Sequence, residues 1–254
     1  MAQNKPRVAL IACFTDFGPT GPYQGQMAAV LASQAPNTPQ ITLMADAPMF
    51  DPQAAGLLIS SLCDHMPPGT LYLAVVDPGV GGSRRPLILR TERDIFVGPD
   101  NGLFVPIVRR YDNCEIVSIE WRPERLSESF HGRDLFAPVA AKLANGEDVA
   151  GTSIDINEMV GFHSPLDRNR IIYLDHFGNA ISGITAEEVT DNAIISINGK
   201  SVRYARTFSE VSIGEPFWYR NSFGLVEIAV NCGSAVGLLG LELGMPLKCG
   251  FDFD

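Results

Sequence analysis

Short apolar runs alternate with helically spaced ones along the first 160 residues. Arg7–Phe14 and Ile41–Ala45 read as strands. Leu71–Val76 is continuously apolar, as expected of a strand with both faces buried. Between these runs, Gln24–Gln34 and Pro52–Met66 carry the spacing of helices. Pro86–Arg90, Ile95–Val97 and Glu115–Ile119 predict shorter strands, and Leu103–Arg110 a helix. Leu135–Asn145 predicts a further helix, with Asp134 as N-cap and Pro138 tolerated in the first turn. Such a β-α-β-α-β order predicts a largely parallel sheet with helices on its faces.

The pattern changes after Gly161. Phe162–Arg170 is polar, contains Pro165 and reads as a linker. Short β-type runs follow at Ile171–Leu174, Ile194–Ile197, Val202–Tyr204, Phe217–Tyr219 and Val226–Val230, some separated by turns at Asn198-Gly199 and Ser222–Gly224. Ala186–Thr190 suggests a short helix, and the final FDFD a frayed tail. Strands at this spacing predict a small barrel or sandwich. The expectation is two domains, an α/β domain over residues 1–163 and a β domain over 164–254.

Composition narrows the class. The chain has 254 residues, 46% hydrophobic and 19% charged, with a formal net charge of -10. That acidity repels phosphate backbones and disfavours a nucleic-acid partner. The apolar run Val8–Phe14 is too short for a signal peptide, and no stretch approaches the ~18 apolar residues a membrane span needs. The five cysteines (Cys13, Cys63, Cys114, Cys232, Cys249) are scattered without CxxC spacing. They read as reduced thiols packed as small hydrophobes, which points to the cytoplasm and away from a zinc site.

Candidate chemistry lies where strands end, since ligands of open α/β sheets sit beyond the C-terminal ends of strands. After the first strand come Thr15-Asp16-Phe17-Gly18; after the third, Asp77-Pro78-Gly79-Val80-Gly81-Gly82-Ser83-Arg84. The glycines let a backbone approach a ligand closely, but neither a Walker A loop nor a GxGxxG turn is present. Taken alone, Asp16 and Asp77 also suit turn formation. His131 stands just ahead of a helix start, where the helix dipole would favour neutral imidazole. His65 and His163 read as surface or linker residues. No HxxxH or HExxH pattern occurs, so no metal site is expected. In the second domain, Asp175–Asn179 (DHFGN) and Asn221–Ala235 (NSFGLVEIAVNCGSA) combine carboxylate, amide and hydroxyl groups suited either to turns or to an amino acid and a purine edge.

These segments together resemble the S-adenosyl-L-methionine (SAM) hydroxide adenosyltransferases, SAM hydrolases that form adenosine and methionine and are related to fluorinase and chlorinase. The match runs through TDFG at 15–18, VVDPGVGGSRR at 75–85, GPDNGL at 98–103, FHGRDLFAP at 130–138, DHFGN at 175–179 and NSFGLVEIAVNCGSA at 221–235. The resemblance implies an α/β N-terminal domain, a C-terminal β-barrel and a homotrimer. Its active sites would lie between the N-terminal domain of one subunit and the C-terminal domain of the next. SAM would be substrate, with no cofactor. It assigns Asp77, Arg84 and His131 to catalysis and Asp16 to the ribose. Phe50 takes the position of a stacking aromatic, and Phe130 joins the substrate contacts. Asp175, Phe177, Asn179 and Ser222 fall at methionine and adenine contacts, with backbone groups around Asn231 and Cys232. The halogenases carry tyrosine where Asp77 stands and lack Arg84 and His131, whereas Gly132 resembles the small residue that admits chloride in the chlorinase. The expected reaction is attack of water at the ribose C5′, with Asp77 and His131 both open as the base. Chlorinase-type chemistry and binding of SAM or adenosine without turnover are the alternatives.

Overall fold

The computed structural model describes residues 8–251, so Arg7 of the first predicted strand and most of the FDFD tail lie outside the described residues. Two compact units divide the chain: Met1–Ile59 with Met66–Ser164, and Ser60–His65 with Pro165–Asp254.

The first unit is built on a seven-stranded sheet. In chain order its elements are β1 (Leu10–Thr15), α1 (Tyr23–Gln34), β2 (Gln40–Met44), α2 (Pro52–Leu62), β3 (Thr70–Val75), β4 (Pro86–Arg90), β5 (Ile95–Pro99), α3 (Val105–Val108), β6 (Glu115–Ile119), α4 (Ala137–Ala144) and β7 (Gly151–Ser153), with the last residues of α2 falling to the other unit. The strands lie in the order β2-β1-β3-β5-β4-β6-β7. The first three pairings, β2 to β1, β1 to β3 and β3 to β5, are parallel. Those of β5 with β4, β4 with β6 and β6 with β7 are antiparallel. The sheet is therefore mixed, where the sequence pattern predicts a largely parallel one. The reason is local: only residues 91–94 join β4 to β5, and a parallel crossover takes about a dozen residues or more.

β3 is buried at every position, which explains its unbroken apolar run. Alternate residues of the central strands, Ile11 and Cys13 on β1 and Leu71, Leu73 and Val75 on β3, share one cluster with Met27 and Leu31 of α1 and Val139, Ala140 and Leu143 of α4. Each fully buried Leu or Met there contributes about 1.5–3 kcal/mol. Burial pushes the Cys13 thiol up to about 12. Gly98 on β5 is required by close approach: a Cβ there would lie 2.1 Å from the Ala74 carbonyl oxygen of the adjoining strand. The helix predicted over Pro52–Met66 ends as a 3-10 turn at Cys63–His65, and that over Leu103–Arg110 shortens to α3.

The second unit holds β8 (Ile171–Leu174), β9 (Ala180–Thr185), β10 (Ala193–Ile197), β11 (Lys200–Val202), β12 (Pro216–Arg220), β13 (Leu225–Val230), α5 (Ala235–Leu239) and β14 (Lys248–Phe251). They form two antiparallel sheets, β12-β13-β9-β8 and β11-β10-β14. Among the described residues, strand pairing does not close them into the expected barrel, because β10 leaves the larger sheet to pair with β14 at the chain's end. Their shared core centres on Trp218, fully buried, whose indole N–H donates to the Ala193 carbonyl at 2.9 Å. Ala186–Thr190 is a 3-10 turn at Ala186–Glu188 rather than a helix.

Candidate active site

Three parallel strands deliver the first group of candidate residues. β1 ends in Thr15-Asp16. The Asp16 carboxylate accepts the Phe50 N–H at 3.3 Å, and burial raises its pKa, with the Asp77 charge adding to the rise and backbone N–H groups opposing it. The chain after β2 is drawn in alongside: the Gly18 N–H donates to the Ala45 carbonyl at 2.6 Å and the Ala47 N–H to the Thr15 carbonyl at 3.0 Å. This segment ends at Phe50, whose backbone is left-handed (φ 57) and which is 72% exposed.

β3 ends two residues before Asp77. Arg84 donates from Nε to both Asp77 carboxylate oxygens at 3.1 Å, and from a terminal nitrogen to Oδ2 at 2.5 Å. The pair is buried, with side-chain exposures of 9% and 4%. The same terminal nitrogen lies 2.8 Å from His131 Nδ1. A guanidinium only donates. His131 Nδ1 is therefore the acceptor, and in the neutral ring the proton sits on Nε2. Burial first, then the Arg84 charge, hold the His131 pKa below its ordinary value of 6.5, against the opposing pull of Asp77. The direction agrees with the sequence expectation; the cause is desolvation and a neighbouring cation rather than the helix end.

The helix start itself differs. Gly132–Phe136 forms a single π-helical turn leading into α4, with His131 at its N-cap. Asp134 lies inside this turn and is not a cap: its carboxylate accepts from Arg133 Nε at 2.6 Å and from the Ser127 N–H at 2.9 Å. Gly132 leaves little room, since an added Cβ would meet Met27 Sδ and Phe17 Cζ at 3.2 Å.

Asp16, Phe50, Asp77, Phe130 and His131 line one cavity of about 700 Å³. Phe17, Tyr23 and Phe130 form an aromatic wall with edge-to-face contacts at 5.4–6.0 Å. Arg84 is not part of the lining; it lies behind Asp77 and His131 and bridges them. Phe17 and Tyr23 went unassigned in the sequence reading, although Phe17 lies inside TDFG and Tyr23 opens α1.

The remaining candidates belong to the second unit. Asp175, after β8, closes its own loop: Oδ1 accepts the N–H groups of Phe177 at 2.9 Å and Asn179 at 2.8 Å, and Oδ2 accepts Asn179 Nδ2 at 2.9 Å. Phe177 is left 75% exposed. Ser222 is exposed on the β12–β13 turn, which Asn221 Oδ1 shapes by accepting the N–H groups of Phe223 and Leu225. Asn231 donates its amide to the Val211 carbonyl at 2.8 Å, and Cys232 is exposed with left-handed backbone (φ 55). Behind the Asp175 loop lies a group that sequence reasoning missed. Buried Glu227 accepts from Tyr219 Oη at 2.6 Å and Asn221 Nδ2 at 3.1 Å. Burial raises its pKa, with those hydrogen bonds opposing the rise and the Asp175 charge adding to it. Its signal was one acid inside the wholly buried run LVEIAV. Among the described residues, no group of three or more His, Cys, Asp or Glu side chains is placed to hold a metal ion, and no helix is long and apolar enough to cross a membrane.

The family models of the SAM hydroxide adenosyltransferase N-terminal and C-terminal domains match residues 11–153 and 169–248. The chain belongs to the SAM hydroxide adenosyltransferase family. Within that family, a Thermus thermophilus protein named (R)-S-adenosyl-L-methionine hydrolase is 36% identical over 251 residues, covering 92% of this chain and 96% of that protein. A Salinispora arenicola protein of the same name is 32% identical, covering 94% and 96%. A fluorinase from Nocardia brasiliensis stands further off at 22% identity. A solved structure of an uncharacterized conserved protein from Thermotoga maritima is similar with a TM-score of 0.84 and 30% identity, over 94% of this chain and all of that one. The Asp77–Arg84–His131 cluster therefore sits in a SAM hydroxide adenosyltransferase framework that spans both units.

Proposed function

We propose that this SAM hydroxide adenosyltransferase hydrolyses SAM to adenosine and L-methionine by in-line attack of water at the ribose C5′. The observation that carries the reading is the cavity bearing Asp77 and His131 with Arg84 bridging them from behind. In the reaction the water oxygen bonds to C5′ while the C5′–S bond breaks. Its electron pair returns to the sulfonium, so methionine departs as a neutral thioether without a general acid. The water's proton goes to Asp77. His131 is poorly suited to receive it, because Arg84 occupies its Nδ1 lone pair; its Nε2–H orients the water oxygen instead. Arg84 fixes both groups from behind the cavity wall. Holding one water in line contributes several kcal/mol to the barrier reduction. The balance closes without a further cofactor.

Asp16 suits the ribose hydroxyls, while Phe50, Phe130 and the aromatic wall suit the adenosyl group. Asp175, Phe177, Asn179, Ser222 and the backbone around Asn231 and Cys232 suit methionine and adenine. We assign them to a neighbouring subunit of a cytoplasmic homotrimer. The carboxylate of Asp77 on the cavity wall repels halide and favours hydrolysis over chlorination.

The test is incubation of purified protein with SAM, with and without chloride, in ¹⁸O-water. Adenosine and methionine are expected, with the label in the 5′-hydroxyl. 5′-Chloro-5′-deoxyadenosine would favour the halogenase reading, and tight SAM binding without product the binding-protein reading. Unchanged turnover in Asp77→Ala and His131→Ala would remove the assigned residues.

A further inference from the structure

None of the GPDNGL segment at 98–103 lines the cavity, and the mechanism above leaves it unused. Its place in the sheet gives it a task. β5 lies between β3 and β4, and the loop 76–85 leaves β3, passes the C-terminal end of β5 and enters β4. Asp77 is the second residue of that loop and Arg84 the second from its end. Inside the loop, the backbone bonds from Val80 N–H to the Asp77 carbonyl and from Gly82 N–H to the Gly79 carbonyl are short-range, and three glycines leave the segment soft.

Both ends are fastened from β5. Asn101 Nδ2 donates to the Val76 carbonyl at 2.9 Å, one peptide before Asp77. The Asp100 N–H donates to the Arg85 carbonyl at 2.8 Å, one residue after Arg84. The Asp100 carboxylate, 1% exposed, accepts Arg85 Nε at 2.9 Å and is held from its other side by the Val160 N–H at 2.9 Å. Two consecutive residues at one strand end thus grip the residue next to each member of the reactive pair.

We propose that Asp100 and Asn101 are positioning residues for catalysis, clamping both ends of the 76–85 loop so that Arg84 meets Asp77 and His131 in the geometry the reaction requires. The proposal rests on the hydrolase reading for its kinetic consequence and on the hydrogen bonds alone for its structural one.

Asn101→Asp keeps the acceptor that takes the Leu103 N–H and removes the donor to Val76. Asp100→Asn keeps an acceptor and removes the charge facing Arg85. In each, kcat for SAM is expected to fall about 10- to 100-fold, the scale of a small misplacement of reacting groups, with KM and the adenosine Kd within about twofold of the wild type. Hydrogen exchange of the 76–85 peptide is expected to quicken about fivefold, the loss of one net hydrogen bond, with 137–144 unchanged. Unchanged kcat, or kcat, adenosine affinity and Tm falling together, would overturn the proposal. If Asp100→Asn does not fold, Asn101→Asp decides alone. If the wild type yields no adenosine, the hydrolase reading falls, and unaltered exchange at 76–85 in Asn101→Asp would separately dispose of the clamp.

Discussion

The buried Asp77–Arg84 pair sets up a measurement in which stability and activity part company. Asp77→Asn leaves a guanidinium with 9% side-chain exposure facing a neutral amide, and Arg84→Met leaves a carboxylate with 4% exposure facing a thioether. Stranding one partner of a buried pair costs about 3–5 kcal/mol. The lower end applies to Asp77→Asn, because Asn retains one acceptor and Arg84 retains His131 Nδ1 and its place over the Phe136 ring, 5.2 Å from the centroid. Asp77→Asn is thus expected to lose about 3 kcal/mol, and Arg84→Met, which strands the carboxylate and vacates His131 Nδ1 as well, about 4–5 kcal/mol. In the double variant no charge is stranded and the Met stem packs on Phe136; the remaining cost is the vacated His131 nitrogen, about 1–2 kcal/mol. The two substitutions should therefore couple by about 3 kcal/mol or more, with the double variant more stable than either single one. Urea unfolding followed by tryptophan fluorescence reads this, Trp121 reporting the first unit and Trp218 the second. All three variants should lack hydrolysis. Additivity of the two singles within about 0.5 kcal/mol would refute the reasoning, since it would mean that neither charge depends on the other.

Further outcomes follow from other parts of the site. The rate with SAM should fall as pH drops through the His131 pKa, which lies below 6.5, because protonation at Nδ1 expels the Arg84 contact; a midpoint above 6.5 in kcat/KM would contradict it. The same group affects stability. Between its folded pKa and 6.5 the unfolded chain binds more protons, so stability rises with pH across that window, and His131→Asn should flatten the rise in pH-dependent urea unfolding. Gly98→Ala drives a Cβ to 2.1 Å from backbone and should cost about 3 kcal/mol or more, whereas Gly132→Ala meets side-chain ends at 3.2 Å and should cost about 1 kcal/mol, the two compared by Tm. Phe50→Gly relieves a left-handed backbone and should raise stability by about 1 kcal/mol while raising KM for SAM; a lower Tm would count against the strain.

Much of this was legible in the sequence because the signals were local. β1, β2 and β3 announced themselves as apolar runs, and the acids that follow β1 and β3 stand at strand ends, where such sheets place ligands. The fold departs where distance or brevity decides. β4 turns back because its link to β5 is too short to cross over, and β14, which no apolar run marks, forms because β10, some fifty residues earlier, pairs with it. β9 was hidden by Gly183. Asp134 had the look of an N-cap, but the π turn draws His131 into that position and commits Asp134 to Arg133 and Ser127. Which partner sits on His131 Nδ1 depends on residues 47 positions apart, a relation no spacing rule contains.

Cys13 gives the fold its own clock. The residue is 5% exposed and its thiol pKa is pushed up to about 12, so it presents almost no thiolate to an alkylating reagent while the central sheet stays closed. Cys232 and Cys249 are exposed. A brief iodoacetamide pulse should mark Cys232 first, Cys249 more slowly because partial burial raises its thiol pKa, and Cys13 only in molecules whose β1–β3 ladder has parted. The rate at which the Cys13 peptide gains mass then reports how often the platform beneath the reacting groups comes apart.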